Sequence, residues 1–436
     1  MNYSHHSILA ALFLCVAFTL SAQVPGGYYA DAEGKSGAAL KIAVMTDVHY
    51  LSPLLAEEGG ALFAFEKATG RKTTELHAVL NKVIASLKEE APDILLVTGD
   101  LTNHGERQSH LDFITLLCSL EKAGTRIFVI PGNHDVHIPD ARSYKGSEST
   151  PVAGVSGDEF ARLYGSFGYE EALRRDDASL SYLAKINEHT WLLCIDSNRY
   201  DEHTTSSVTA GRIRRQTMEW ALNILHEAKE KGISVLGMMH HGAVEHMPYQ
   251  DAFFPDYLVE DWQQQADKLA DAGLNVIFTG HFHANDISLH TSPAGNRIYD
   301  VETAGLAQYP FGYRIMRLHG NELSIDTRFV TSIPGNPDFE NESRRRLEAV
   351  TRRVAQSRLN KPEIPISEEV KTALTDLIVQ LNLMHVRGDE KADPGMKRAI
   401  SMFASMMGTE ADMESFAFDF PPQDNKVVIR LNVGEE

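Results

Sequence analysis

The stretch KIAVMTDVH, residues 41–49, joins a short, mostly apolar run to an aspartate and a histidine two positions apart. Such a run is typical of a strand buried on both faces of a sheet. In an extended chain, residues two apart point to the same side, so Asp47 and His49 would face one point. A carboxylate and an imidazole together suit a divalent metal ion such as Mn, Fe, Co or Zn.

The same succession of strand and polar motif recurs along the chain. Apolar runs predict strands at 41–46, 94–98, 127–130, 191–195, 235–239 and 276–279. Five of these runs lead into polar motifs, which are Asp47-Val48-His49, Gly99-Asp100, Gly132-Asn133-His134-Asp135, His240-His241-Gly242 and Gly280-His281-Phe282-His283. Ligand sites of open α/β sheets lie at the carboxyl ends of strands, so the motifs predict one shared metal site. The glycines before the ligands are expected to let the backbone turn sharply.

Helical spacing of apolar residues predicts helices between the strands, at 74–89, 110–122, 212–231 and 259–272. Alternating strands and helices indicate an α/β fold. Further strands are predicted at 297–302, 313–318 and 323–330, followed by helices at 340–358, 367–384 and 394–407 and a last strand at 426–431. We therefore expect one domain over residues 38–332 and a mainly helical C-terminal domain over residues 333–436.

The amino-terminal sequence predicts an export signal. Residues 8–20 form an apolar run too short to span a bilayer, and Ser21-Ala22 before Gln23 provides the small residues of a cleavage site. We expect residues 1–22 to be a signal peptide and the mature protein to be periplasmic, envelope-associated or secreted. A lipid anchor on Cys15 is the alternative. No later segment is long and apolar enough to span a membrane.

The charge balance limits the partners. With 41 Lys and Arg against 60 Asp and Glu, the net charge is −19, which repels phosphate backbones, so no nucleic-acid polymer is expected as a partner. The sequence has no Ser, Cys or Asp motif placed as a phosphoryl acceptor and no Gly-rich P-loop. Direct hydrolysis is therefore preferred to phosphoryl transfer from a nucleotide.

Taken together, the five motifs resemble the signature of calcineurin-like metallophosphoesterases over roughly residues 40–330. The resemblance implies a four-layer α/β/β/α sandwich and two divalent metal ions. The implied ligands of one ion are Asp47, His49, Asp100 and His283. Those implied for the other are Asp100, Asn133, His240 and His281, so that Asp100 bridges the two. His241 is the alternative to His240, which is preferred because a ligand histidine two residues before glycine is the commoner form in the family.

The stretch Gly99–Asn103 is similar to class III cyclic-nucleotide phosphodiesterases and their exported bacterial relatives. This likeness favours a small phosphodiester over a phosphomonoester or a phospholipid headgroup; a binding protein that has lost catalysis is a third alternative. Two bound ions would polarise the phosphoryl oxygens and generate a bridging hydroxide that attacks phosphorus directly. We expect His134 to stabilise or protonate the leaving oxygen, and Asp135 to orient the His134 ring.

Overall fold

The first sheet contains six strands. In spatial order they are β15 (Lys426–Arg430), β14 (Glu322–Phe329), β13 (Gly312–His319), β1 (Leu40–Met45), β2 (Ile94–Val97) and β3 (Arg126–Val129). The pairs β1–β2 and β2–β3 are parallel, whereas β13 runs antiparallel to β1. The parallel strands are almost wholly buried, which explains their continuous apolar runs.

The second sheet contains seven strands. In spatial order they are β11 (Asp286–Thr291), β12 (Arg297–Glu302), β10 (Val276–Thr279), β9 (Ser234–Met239), β8 (Thr190–Ile195), β7 (Tyr182–Asn187) and β6 (Arg174–Arg175). Its central strands β8, β9, β10 and β12 are parallel. A separate hairpin is formed by β4 (Arg142–Lys145) and β5 (Glu148–Pro151).

Alternating side chains of β8 show how the layers stack. Leu192 and Cys194 point into a core shared with the first sheet, whereas Leu193 and Ile195 pack against helices on the other face. The outer helices are α2 (Thr73–Glu90) and α3 (Arg107–Glu121) over the first sheet, and α5 (Arg215–Glu230) and α7 (Trp262–Asp271) over the second. The predicted α/β/β/α sandwich is confirmed.

The other helices include three near the carboxyl terminus. Among the described residues they are α1 (Gly60–Thr69), α4 (Gly157–Leu163), α6 (Gln250–Phe253), α8 (Phe339–Leu359), α9 (Glu368–His385) and α10 (Pro394–Met406). Short 3₁₀ turns occupy Pro53–Leu55, Gly165–Phe167, Tyr200–Glu202 and Pro255–Tyr257. The C-terminal segment is mainly helical, as expected, yet its last strand, β15, pairs with β14 and so returns to the first sheet.

This computed structural model describes residues 39–247, 250–360, 367–391, 393–406 and 419–431. The expected signal peptide at 1–22, with Cys15, lies outside the described residues. Within those ranges, no helix has the length and apolarity needed to cross a membrane.

The loops after β1, β2, β9 and β10 meet at one edge of the sandwich. Within the first sheet, the amide of Asp47 donates to the carbonyl of Gly99 over 3.1 Å. Between the sheets, the amide of His281 donates to Asp47 Oδ2 over 2.9 Å. The five polar motifs therefore converge, because the carboxyl ends of the parallel strands face each other across the two sheets.

Candidate metal centre and active site

The backbone that carries the predicted ligands is strained. Asp47, His49, Asp100, His281 and His283 all have φ between +43° and +74°, in the left-handed region that side chains other than glycine rarely adopt. Each such residue costs on the order of 1 kcal/mol or more, and such costs concentrate at functional sites. The expected extended conformation from Asp47 to His49 is wrong, because β1 ends at Met45 and both residues turn. The turns nonetheless bring the two side chains together.

The first ligand group consists of Asp47, His49 and His283. Asp47 Oδ1 lies 3.0 Å from His283 Nε2 and 3.9 Å from His49 Nε2, and the two imidazole nitrogens are 3.3 Å apart. Asp47 Oδ2 accepts hydrogen bonds from Thr46 Oγ1 and the His281 amide. Oδ1 is buried and has no hydrogen-bond partner in the described chain, so it is available to an ion.

The second ligand group consists of Asp100, His240 and His281. His240 Nε2 lies 3.2 Å from Asn133 Oδ1 and 3.5 Å from Asp100 Oδ1. The other carboxylate oxygen, Asp100 Oδ2, lies 3.4 Å from His49 Nε2 in the first group. Asp100 therefore stands between the two groups with one oxygen toward each, the arrangement that a bridging carboxylate requires.

Hydrogen bonds orient the imidazoles and distinguish His240 from His241. His240 Nδ1 donates to the carbonyl of Thr98 over 2.8 Å, which leaves Nε2 free to bind an ion. Both ring nitrogens of His241 have partners elsewhere: Nδ1 lies 2.8 Å from Ser197 Oγ, and Nε2 lies 2.9 Å from the carbonyl of Thr209. The structure thus favours His240 as the ligand.

The electrostatics of the site fit a cation. Burial raises the pKa of Asp100 well above its usual value, and Asp47 and Asp135 raise it further. Burial lowers the pKa of His281 to about 3 and also lowers that of His240, so these rings are neutral and have lone pairs to offer. Donor atoms 3.0–3.9 Å apart also match the separations expected around an ion with bonds of about 2.0 to 2.2 Å. The donors thus fit divalent metal ions, which would release the Asp100 proton on binding.

All three glycines stand where a side chain would clash, since even at Gly99 a Cβ would lie 2.5 Å from His240 Nδ1. Gly99 has φ +99° and does turn, as expected. Gly132 and Gly280 do not have such a φ; a Cβ on Gly132 would lie 2.1 Å from Asp100 Oδ1, and one on Gly280 would lie 2.6 Å from Asp47 Oδ2. Each nonetheless begins a turn, because the amide of Asp135 donates to the carbonyl of Gly132 over 3.3 Å and the amide of Phe282 donates to the carbonyl of Gly280 over 2.9 Å. They let the backbone approach the ligand carboxylates closely.

Asp135 joins loops, and its carboxylate does not reach the ring of His134. It accepts hydrogen bonds from the amides of Leu101, Thr102 and Gly132 and from Thr102 Oγ1. Among the hydrogen bonds of the described residues, none connects it to the His134 side chain. The structure therefore gives Asp135 a different position from the one expected: it fixes the loop that carries Asp100 against the loop that carries Asn133.

The His134 ring instead contacts two other histidines. It meets His49 and His104 edge to face, with ring centroids 5.0 and 4.8 Å away. His104 Nδ1 lies 3.8 Å from Asp140 Oδ1, too far for a hydrogen bond. Burial lowers the pKa of His134 well below its usual value, and His104 and Arg71 lower it further. The ring is therefore neutral and lies beside the first ligand group.

Arg71 is the residue of the site that the sequence did not indicate. It lies in the turn between α1 and α2, and its Nη2 is 3.0 Å from His49 Nε2. Burial lowers its pKa, although Asp100 and Asp47 act in the opposite direction. No local motif marks it, because the turn lies outside the strand-to-ligand pattern. A half-buried guanidinium next to metal ligands is suited to bind phosphoryl oxygens.

Comparison with known proteins gives one family match. The calcineurin-like phosphoesterase family matches residues 40–285. No curated protein sequence matches the chain.

Several solved structures are similar in part. A dimetal phosphatase from Danio rerio is 13% identical, with a TM-score of 0.47 over 66% of this chain and 96% of that one. A protein described as a 5′-nucleotidase from Staphylococcus aureus is 11% identical, with a TM-score of 0.38 over 65% and 51%. The NAD nucleotidase of Haemophilus influenzae is 12% identical, with a TM-score of 0.31 over 85% and 68%. The family match carries the assignment.

Proposed function

This chain belongs to the calcineurin-like phosphoesterase family, and on that premise we propose that it hydrolyses a small phosphodiester such as a cyclic nucleotide. The family reaction is metal-dependent hydrolysis of a phosphate ester. The observation that carries the proposal is the position of Asp100, with one oxygen toward each ligand group. Divalent ions bound there supply polarisation of the phosphoryl oxygens and a water of lowered pKa.

Arg71 is our candidate to bind the phosphoryl group. Its guanidinium lies against His49 Nε2, the nitrogen that would bind an ion. Since a guanidinium cannot donate to a nitrogen that already binds a metal, its donors become free for substrate oxygens when the site is loaded. The same positive charge also offsets the buried carboxylates Asp47 and Asp100.

His134 is our candidate to interact with the leaving oxygen. Its Nδ1 is buried without a hydrogen-bond partner among the residues described, so the ring has unused hydrogen-bonding capacity beside the ligand group. A neutral imidazole can donate one hydrogen bond to a developing alkoxide, and an anionic substrate would raise its pKa and favour proton transfer. Asp135 supports this role indirectly, through the loop.

Two features support a diester. The stretch Gly99–Asn103 resembles cyclic-nucleotide phosphodiesterases, and Asn103 lines a recess beside His49 and Arg71. Leu51, Phe65 and Leu76 line the same recess, so an organic substituent of the phosphate would meet apolar side chains there. A phosphomonoesterase or a phospholipid-headgroup hydrolase is the runner-up, since the same metal chemistry serves all three substrates.

A panel of three substrates tests the proposal. Nitrophenyl phosphate, bis-nitrophenyl phosphate and a cyclic nucleotide are assayed with added Mn²⁺, before and after chelation. We expect hydrolysis that chelation abolishes, with a higher kcat/KM for the diesters. A higher value for the monoester would support the phosphatase alternative. No hydrolysis of any substrate by metal-loaded protein would support a binding protein instead.

A further inference from the structure

A second group of possible metal ligands lies behind the active-site loop. Asp286 begins β11, His385 ends α9, and Glu390 follows in the next turn. Each offers a ligand atom, and the three atoms lie within 4.8 Å of one another. None of the three belongs to the five sequence motifs. The group joins the second sheet to the C-terminal helices.

Distances within this group resemble those at the catalytic site. His385 Nδ1 lies 2.7 Å from Glu390 Oε1 and 3.9 Å from Asp286 Oδ2. All three residues are more than nine-tenths buried, with residue exposures of 0% for Asp286, 8% for His385 and 9% for Glu390. One imidazole and two carboxylates thus converge in a space from which water is largely excluded.

Unpartnered oxygen atoms provide an independent indication of a ligand. Asp286 Oδ1 is paired with His246 Nδ1 and Ser288 Oγ. Asp286 Oδ2 and Glu390 Oε2 are buried and have no hydrogen-bond partner within the described ranges. An ion pair between His385 and Glu390 alone would leave both of these oxygens uncompensated, at a cost that buried polar groups seldom bear.

The buried guanidinium of Arg314 makes no hydrogen bond to these carboxylates in the described part of the chain. Arg314 is fully buried, and its hydrogen bonds go to the hydroxyls of Thr303 and Thr327 and to backbone carbonyls, those of Asp286, Glu302 and Asp424. Burial, followed by the proximity of Glu390 and Asp286, raises the pKa of Asp419 to about 7. The surroundings of the group therefore have an excess of negative charge that a cation would offset.

The chain is shaped to bring Glu390 back toward His385. Gly388 and Asp389 have φ of +77° and +57°, so the backbone reverses directly after α9. A Cβ on Gly388 would lie 2.3 Å from the carbonyl oxygen of Asn285, which shows how closely the turn approaches the start of β11. The geometry of the turn thus holds the two C-terminal ligands against Asp286.

We propose that Asp286, His385 and Glu390 bind a divalent transition-metal ion, Zn²⁺ or Mn²⁺, at a site separate from the catalytic centre. The mixed nitrogen and oxygen donors favour these ions over Ca²⁺ and Mg²⁺, which prefer oxygen alone. The ion fastens the end of α9 to the first residue of β11. Because Asp286 lies three residues after His283, and the ring of His385 contacts Phe282 with centroids 5.3 Å apart, it also steadies the loop that carries His283.

Metal content of paired variants tests the site. Glu390→Gln removes one ligand charge with little change of shape, and Glu368→Gln makes the same change at an exposed position of the same helical region. Both proteins are saturated with Zn²⁺ or Mn²⁺, freed of loosely held ions by gel filtration, and analysed for metal. We expect Glu390→Gln to retain one ion fewer per chain than Glu368→Gln, and to gain less in Tm on adding the metal. Equal metal content in the two variants would overturn the proposal.

A measurement on the unaltered protein covers the case in which Glu390→Gln fails to fold. Crystals grown with Zn²⁺ or Mn²⁺ are measured at the absorption edge of the metal. We expect an anomalous peak between Asp286 Oδ2, His385 Nδ1 and the Glu390 carboxylate, in addition to any peak at the catalytic site. Density at the catalytic site with no anomalous peak at this second position would refute the proposal and leave the family reaction intact.

Discussion

Two sets of side chains flank the loop of residues 280–286: the catalytic ligand groups and the group of Asp286, His385 and Glu390. The two sets differ in how the backbone positions them. At the catalytic site each ligand follows a strand directly, and five ligand residues have left-handed backbones. In the second group one proposed ligand begins a strand and two come from a helix end and a turn, and the left-handed residues, Gly388 and Asp389, are not among these three. The predicted catalytic ligands are thus themselves left-handed, whereas in the second group the left-handed residues only bring Glu390 back toward His385.

The largest expected effect is at the carboxylate between the catalytic groups. Asp100→Asn should lower hydrolysis at least about 10³-fold, because the amide cannot serve two ions as a bridging carboxylate does. Rates and metal content are compared with those of Asp47→Asn and Asn133→Ala, each of which removes a ligand of one ion. A full metal complement with near-normal turnover in Asp100→Asn would place the site elsewhere.

Replacing His134 separates catalysis from metal binding. His134→Ala should keep its metals yet slow an alkyl or ribose diester by roughly 10²- to 10⁴-fold, the usual range for general acid catalysis. A nitrophenyl diester has a good leaving group and should lose much less; equal losses would instead indicate charge stabilisation on the phosphoryl group. His319→Ala, on an exposed strand end, is the control. Unchanged rates on both substrates would remove His134 from the mechanism.

A smaller effect is expected at Arg71. Losing one charge-assisted contact to phosphate should lower kcat/KM of Arg71→Gln by about 10- to 100-fold, mainly through KM, with the metal content unchanged. Arg162→Gln, at an exposed position of α4, controls for the loss of charge. An unaltered KM for the diester would show that the guanidinium serves only to offset Asp47 and Asp100.

The smallest effect, a loss of stability, is expected in the turn between the end of α9 and Glu390. Gly388→Ala should destabilise the protein by about 1 to 3 kcal/mol more than Gly320→Ala, the cost of overpacking. Both glycines have positive φ, but only the Cβ at 388 would meet a backbone oxygen; at 320, no described atom lies within 4 Å. The two free energies of unfolding are measured in urea. Equal losses would mean that the turn can move away from Asn285, and would weaken the case for a fixed second group.

Local pattern predicted most of the fold. The strand predicted at 276–279 and the one at 297–302 agree with β10 and β12 at both ends, and the other predicted strands differ by one residue at one or both ends. Such strands can be predicted from sequence because a strand buried on both faces needs a continuous apolar run. β7 and β11 were not predicted. The pairing of β15 with β14 was not predicted, since no feature of residues 426–431 identifies a partner strand about a hundred residues earlier.

The sequence by itself determined the kind of chemistry. Short polar motifs directly after buried strands indicated a shared metal site, because the carboxyl ends of parallel strands meet at one edge. The resemblance of these motifs to calcineurin-like metallophosphoesterases indicated hydrolysis of a phosphoester. Only the tertiary structure decided the finer arrangement. Asp47 and His49 have left-handed backbone conformations, and Arg71 lies against His49. The Nδ1 atom of His240 is held by a backbone carbonyl so that Nε2 faces the site, whereas His241 is hydrogen-bonded elsewhere. The tertiary structure also assembled Asp286 with His385 and Glu390, nearly a hundred residues apart in the chain. These contacts depend on packing between distant segments, which no local spacing of residues encodes.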